Sequence, residues 1–407
     1  MKKLLFSLFA TGILFADSDY NIIADRYFSP YAGADDLIMS HKLVENSYLE
    51  RLTQTYESNP ARWAQLSRTA ELMCFWDPLN YFTTLIQHEV FGHGYRVRSL
   101  GSQDANVTKY KFHIPPPYGP GGGATHYKYS TDRTTVFEHL AITTGGVEAT
   151  AICANRLRMQ WLKKGSINPN QSSLYLNAEH DLTLYTIYSS DNEGDDMHSY
   201  RDFLNHTYQG SKLTSKSLRT QALINLLDPF TYYSFYSWYN YVSKGKQGPL
   251  PMIPLGSYQY LPGARLGLTP FGPEYYMENF LLKDEKPIYF YLRGGKHAGM
   301  NYTGLGIENP HQWQLGSFQL GYRADLWLQP KIDMQDLRYA YSQLDKRENL
   351  HANTSDSRFG VSISLIAQKK LWSDGMLFVQ LGAKTPGYVP GEGLDSSLIF
   401  RVGITLW

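Results

Sequence analysis

An excess of charge of one sign is missing from this chain: 38 Lys and Arg stand against 37 Asp and Glu in 407 residues, a net charge of +1. Near-neutrality leaves no electrostatic footprint for nucleic acid, and no such partner is expected. Long apolar runs are missing too. Beyond the amino terminus no segment reaches about eighteen consecutive apolar residues, so no transmembrane helix is expected in the mature chain. A G-x-S-x-G elbow is absent, which removes the main signal for a serine-nucleophile lipid hydrolase. Cysteine is nearly absent, with Cys74 and Cys153 alone.

The amino terminus has its own character. Met1-Lys2-Lys3 precedes an apolar run from Leu4 to Phe15, with Ala16 before Asp17. A basic start, a short apolar core and a small residue at the cut read as a signal peptide over residues 1–16. No Cys follows the cut, which argues against a lipid anchor there.

The densest chemistry lies in His88-Glu89-Val90-Phe91-Gly92-His93. Two imidazoles and a carboxylate inside an apolar run suit a divalent metal with a general base beside it. In HExxH metallopeptidases the two His hold zinc from one helical face and the Glu takes a proton from water. Here the spacing is one residue longer. On a regular α-helix, positions five apart differ by about 140°, so both cannot face one ion. A π-bulge absorbs one residue and realigns them. Gly92 makes that distortion cheaper.

This motif resembles the HExxGH motif of the dipeptidyl peptidase III family. There both His and a more distant Glu bind zinc, and the motif Glu is the base. The resemblance implies His88, His93 and Glu148 as Zn2+ ligands and Glu89 as the catalytic base. Glu148 lies in the stretch from Gly145 to Cys153, at the place of the family's second ligand helix, although Val147 replaces an acidic residue there. His126, Tyr127, Tyr129, His139 and Arg156 are candidate oxyanion donors. Asn155, on the helical face of Glu148, could steady a ligand. Cys74 and Cys153 flank the two halves of the motif. They are either a disulfide tying the ligand helices or two separate thiols.

Residues 17–250 read mainly as helical. Ser58-Asn59-Pro60 starts one helix, Asp77-Pro78 breaks it, and the next runs from Leu79 to about Tyr95. A structureless stretch with the run from Ile114 to Gly123 spans about 101–132. A long helix covers 134–164, with Gly145-Gly146 allowing close approach or marking a kink. Further helices are expected at 173–189 and 214–243. The last is crowded with Tyr and Trp, suiting either an aromatic core or a membrane surface.

From about residue 251 the pattern alternates with period two. Eight strands are expected to start near 257, 274, 287, 301, 317, 358, 376 and 397. The segment 251–407 resembles a small eight-stranded outer-membrane barrel, whose strands alternate in this way. Trp407 stands where such barrels carry a terminal aromatic, but on the face opposite Phe400, Val402 and Ile404. A soluble antiparallel sandwich also alternates. The expected fold is therefore α+β: a helical metal-binding domain over 17–250 and a β-barrel of about eight strands over 251–407. The expected function is that of a zinc metallopeptidase anchored in the outer membrane of a Gram-negative bacterium. Its helical domain would be periplasmic, its substrate a peptide or protein, and outer-membrane lipid its surroundings. The alternative is a barrel for binding or transport whose helical domain holds a structural metal or none.

Overall fold

The computed structural model describes residues 20–46, 61–101, 103–188, 195–208, 210–331, 340, 356–372 and 375–406. The leader, the helix start at Ser58-Asn59-Pro60, most of the 330–357 connection and Trp407 lie outside these residues. The chain is α+β, with a helical region and a large antiparallel sheet.

Strand β1 (Tyr20–Asp25) comes first, where a mainly helical segment was expected. Helix α1 (Pro30–Val44) begins with Ser29 accepting from the Ala32 N–H and with Pro30 in the first turn. A continuous rod follows: α2 (Arg62–Glu71), a π-turn (Leu72–Trp76), α3 (Asp77–Ile86), a second π-turn (Gln87–His93) and α4 (Gly94–Ser99). Pro78 does not break this rod as its sequence context suggests. It sits in the first turn of α3, just after the π-turn, where Pro is tolerated.

The stretch 101–132 is not structureless either. β2 (Ala105–Phe112) and β3 (Gly123–Tyr129) form a hairpin, and the Pro- and Gly-rich run is its tip. Helix α5 (Val136–Lys164) opens with a Thr135/Glu138 capping box and closes at Gly165, at φ 64°. The short strands β4 (Ser166–Ile167) and β5 (Gly248–Pro249) pair with each other. Between them run α6 (Pro169–Glu179), α7 (Asp181–Tyr188), α8 (Asp196–Thr207), α9 (Ser215–Ala222), a 3-10 turn (Leu223–Leu227) and α10 (Pro229–Lys244).

The sheet strands are β6 (Ile253–Leu255), β7 (Tyr258–Thr269), β8 (Gly272–Lys283), β9 (Lys286–His297), β10 (Met300–Leu315), β11 (Phe318–Pro330), β12 (Ser357–Trp372), β13 (Gly375–Lys384) and β14 (Ser397–Leu406). The order is β1-β14-β13-β12-β11-β10-β9-β8-β7-β6, a ten-stranded sheet. Left-handed backbone at Asp284 and Glu285 (φ 50° and 60°) makes the tight β8–β9 turn. No strand pairing joins β1 to β6 among the described residues, so a closed barrel is not formed by hydrogen bonding. Each edge is capped by a helical segment. Ile23 N donates to Asp36 Oδ1 of α1 at 2.7 Å, and Leu266 N donates to Asn225 Oδ1 of the 3-10 turn at 2.7 Å.

The sheet is inside out. Its inward positions carry a large buried polar set, Glu274, Glu278, Arg293, Glu308, Arg323, Asp325, Gln368, Gln380 and Arg401, beside buried apolar residues such as Phe280, Tyr289, Ile366 and Phe378. Its outward positions are apolar and exposed: Met277, Leu292, Leu305, Leu326, Ile363, Leu365, Leu381, Phe400 and Val402. Helix α5 packs against the inner face. The Arg158 guanidinium lies 2.7 Å from Glu179, 3.2 Å from Asp228 and 2.8 Å from Glu278, all fully buried. Arg156 pairs with Glu308 on β10. The boundary near residue 250 marks where the run of strands begins, but the two segments share one interior.

Candidate metal centre

The second π-turn does what the longer motif requires. It carries His88 and His93 on one face, with Nε2 atoms 3.1 Å apart. A neighbouring helix must come very close to this turn, and Gly145 and Gly146 of α5 permit it. A Cβ on Gly146 would fall 2.2 Å from His88 Nε2, and one on Gly92 would fall 2.6 Å from the Gly145 carbonyl oxygen.

The third member is Asp196, the first residue of α8. Its Oδ2 lies 3.0 Å from His93 Nε2 and 3.5 Å from His88 Nε2. His88, His93 and Asp196 form a group able to hold a metal ion. The remaining ring nitrogens are already engaged. His93 Nδ1 is 2.7 Å from the Ile142 carbonyl, and His88 Nδ1 is 2.8 Å from Asp181 Oδ2. A carbonyl only accepts, so His93 Nδ1 carries the proton and neutral His93 presents a bare lone pair at Nε2. A carboxylate assigns His88 the same way. With both rings neutral, two nitrogen lone pairs and a carboxylate oxygen converge, an arrangement that a cation satisfies; in the metal-free chain a proton on an imidazole takes that place. Ligating His residues donate their second N–H in this manner. Thr150 Oγ1, donating at 2.9 Å, steadies Asp181.

Electrostatics agree. Burial alone would depress both imidazoles. Asp181, Asp196 and Glu89 instead hold His88 well above its ordinary range, and Asp196 and Glu89 raise His93. Burial opposes ionisation of Asp196 as well, yet the two imidazoles drive its carboxyl far below the carboxylate range. The pocket demands positive charge.

Glu89 is buried beside His88, and Thr125 of β3 donates to its Oε2 at 2.6 Å. Tyr185 of α7 donates to Asp196 Oδ2 at 3.2 Å and meets the His88 ring edge-on. Tyr127, half-buried on β3, packs against Val97, Ala105 and Ile142, and its phenol pKa is raised by burial and then by the Asp196 carboxylate.

Glu148 lies elsewhere. Arg96 Nη2 donates to its Oε2 at 2.6 Å and Arg96 Nε at 3.1 Å, and Gly391 N donates to Oε1. The reason is rotational. Gly146 faces His88, and a residue two positions on is turned by about 200°. Asn155, on the same face as Glu148, lines a cavity with Tyr31 and Tyr276 rather than the metal group. Arg156 is held by Glu308 and Asp35. His126 is exposed on β3. His139 is buried against Phe203 and Tyr129. Cys74, exposed, and Cys153, buried, are free thiols with no bond between them.

Sequence reasoning missed Asp196, Asp181 and Thr125. Asp181 and Asp196 each open a helix, where an acidic residue is ordinarily explained by the helix dipole. Two such starts in the hundred or so residues after the motif were the only available signal. Thr125 had none. Searches of family models, curated proteins and solved structures found no match to this chain, so the site is read from its geometry.

Proposed function

We propose that this protein is a zinc-dependent hydrolase, a peptidase, seated in an outer membrane by its sheet. The observation that carries the reading is the convergence of His88, His93 and Asp196 with Glu89 buried next to them. Two imidazoles and one carboxylate are a donor set of catalytic zinc, which keeps a position open. Zinc, when bound, polarises a carbonyl and acidifies a water. Glu89, oriented by the Thr125 hydroxyl, would take a proton from the attacking water and pass it to the leaving amine. Tyr127 is the candidate donor to the oxyanion. Among the described residues β3 has one edge without a strand partner, which would offer backbone hydrogen bonds to an extended peptide near Glu89.

The inside-out sheet supports the membrane. A soluble sandwich buries its apolar face, whereas outer-membrane barrels turn theirs to lipid. The connections β8–β9, β10–β11 and β12–β13 span two residues each, as periplasmic turns do. At the other end β7–β8 and β9–β10 are equally short, and that end alone carries the long connections 331–356 and 385–396. The metal group belongs to that end. Tyr200 of α8 donates to the Thr269 carbonyl, and Arg96 to the Glu392 carbonyl, at 2.9 and 2.7 Å. In this reading the site faces outward rather than toward the periplasm. The binding or transport alternative fits less well: the metal group has no fourth protein ligand among the described residues, and α5 packs on the inner face of β7, β8 and β9.

The test is elemental analysis of purified protein with peptide hydrolysis by wild type and Glu89→Gln. We expect about one zinc per chain in both, and hydrolysis lower by about 10²–10⁴-fold in the variant. Full activity in Glu89→Gln would remove the mechanism.

A further inference from the structure

Above its short pairing with β6, strand β7 has an edge with no strand partner among the described residues: β6 reaches only Tyr258, Gln259 and Tyr260. An open strand edge cannot stand in hydrocarbon, because each unpaired backbone group there costs several kcal/mol; only self-satisfied helices and paired strands can. What lies along this edge is the 3-10 turn followed by α10. Asn225 takes the Leu266 N–H, and Phe230 at the start of α10 packs on Phe280 of β8 with ring centroids 5.3 Å apart. Beyond Phe230, α10 keeps contact with β7 and packs along its inner side on α6, β5 and α2. Its 16 residues span about 24 Å, close to the roughly 25 Å apolar band of a membrane barrel.

The outward face of α10 has the chemistry of that band. Tyr232, Phe235 and Tyr239 are 59%, 52% and 63% exposed. No charged residue occurs from Pro229 to Ser243, and Lys244 and Lys246 stand at the end of the helix. Ile253 and Leu255, exposed on β6, carry the apolar surface from the helix to the strands.

We infer that α10 is a stave of the membrane wall: it covers the open edge of β7 and turns its aromatic face to bilayer lipid. This rests on the membrane reading of the sheet given above. The exposed aromatics are the lipid contact of a helix whose backbone satisfies itself, and the Tyr232 hydroxyl is satisfied within the protein, donating to the Leu226 carbonyl at 2.7 Å.

The experiment uses full-length protein with Cys74→Ser, reconstituted in phosphatidylcholine vesicles and checked for heat-modifiable mobility. Single spin labels are placed at Tyr232→Cys, Phe235→Cys and Tyr239→Cys. Ile363→Cys and Leu365→Cys report the outer face of β12, and Lys128→Cys reports water. Collision with oxygen, which concentrates in lipid, is compared with collision with a water-soluble nickel chelate. We expect the α10 labels to match the β12 labels, with oxygen dominant. Nickel dominant on α10 with oxygen dominant on β12 would overturn the inference and leave the membrane reading intact. Labels on α10 shielded from both probes would also overturn it, in favour of a protein partner. Nickel dominant at both places would overturn the membrane reading and this inference together.

Discussion

Asp196 and Glu148 are both acidic and both close to the metal helix, and substitution separates them. Asp196→Ala removes one of three converging ligands, so zinc content should fall from about one per chain toward none. Glu148→Ala should keep the zinc. It strands the buried Arg96 guanidinium, so stability should drop by about 3–5 kcal/mol, read as a lower melting temperature. Zinc lost from Glu148→Ala and kept by Asp196→Ala would reverse the assignment. His139 gives a pH prediction. Burial pushes its imidazole down to about 4, so the folded chain keeps it neutral while the unfolded chain protonates near 6.5. Its contribution to stability is therefore full above about 6.5 and is lost as pH falls toward about 4. Imidazole NMR should show one His titrating near that lower value, absent in His139→Leu.

Among the elements, the second π-turn is the one on which the site depends. It was legible, because five-residue His spacing has no solution on a regular helix. Its packing against α5 was half legible: Gly145-Gly146 suggested close approach, but the partner was unknown. Gly146→Ala tests the contact. The added methyl would overlap His88 Nε2, so the ring must move. We expect the chain to fold with metal affinity lower by about ten- to a hundredfold or more, measured by competition with a chelator. Unchanged affinity would mean that α5 can retreat and that the glycine pair is not what sets the ligand geometry. The β2–β3 hairpin shows the opposite case. Its Pro- and Gly-rich tip dominated the sequence pattern and masked strands whose alternation is short and polar, yet that hairpin brings Thr125 to Glu89.

For the molecule as a whole, the expectation is recovery in the outer-membrane fraction and slower gel migration after boiling, as a folded strand wall gives way. A mature chain found entirely in the soluble fraction would count against the sheet as a membrane wall. The starts of the eight long strands could be read within two residues, because period-two alternation is a local property of a half-apolar sheet. The candidate metal-binding His pair and the proposed base were local for the same reason, since one turn of helix holds all three. Other features depend on distance. β1 joins β14 across nearly the whole chain, and no pattern in six residues names that partner. The third member of the candidate metal group comes from α8, and the carboxylate that orients His88 from α7, each about a hundred residues from the motif. Sequence thus determined the periodicities and the contiguous chemistry. Tertiary structure alone decided which carboxylate meets the imidazoles, because that choice rests on the rotation of α5 about its own axis, and Arg96 claims the carboxylate that faces the other way.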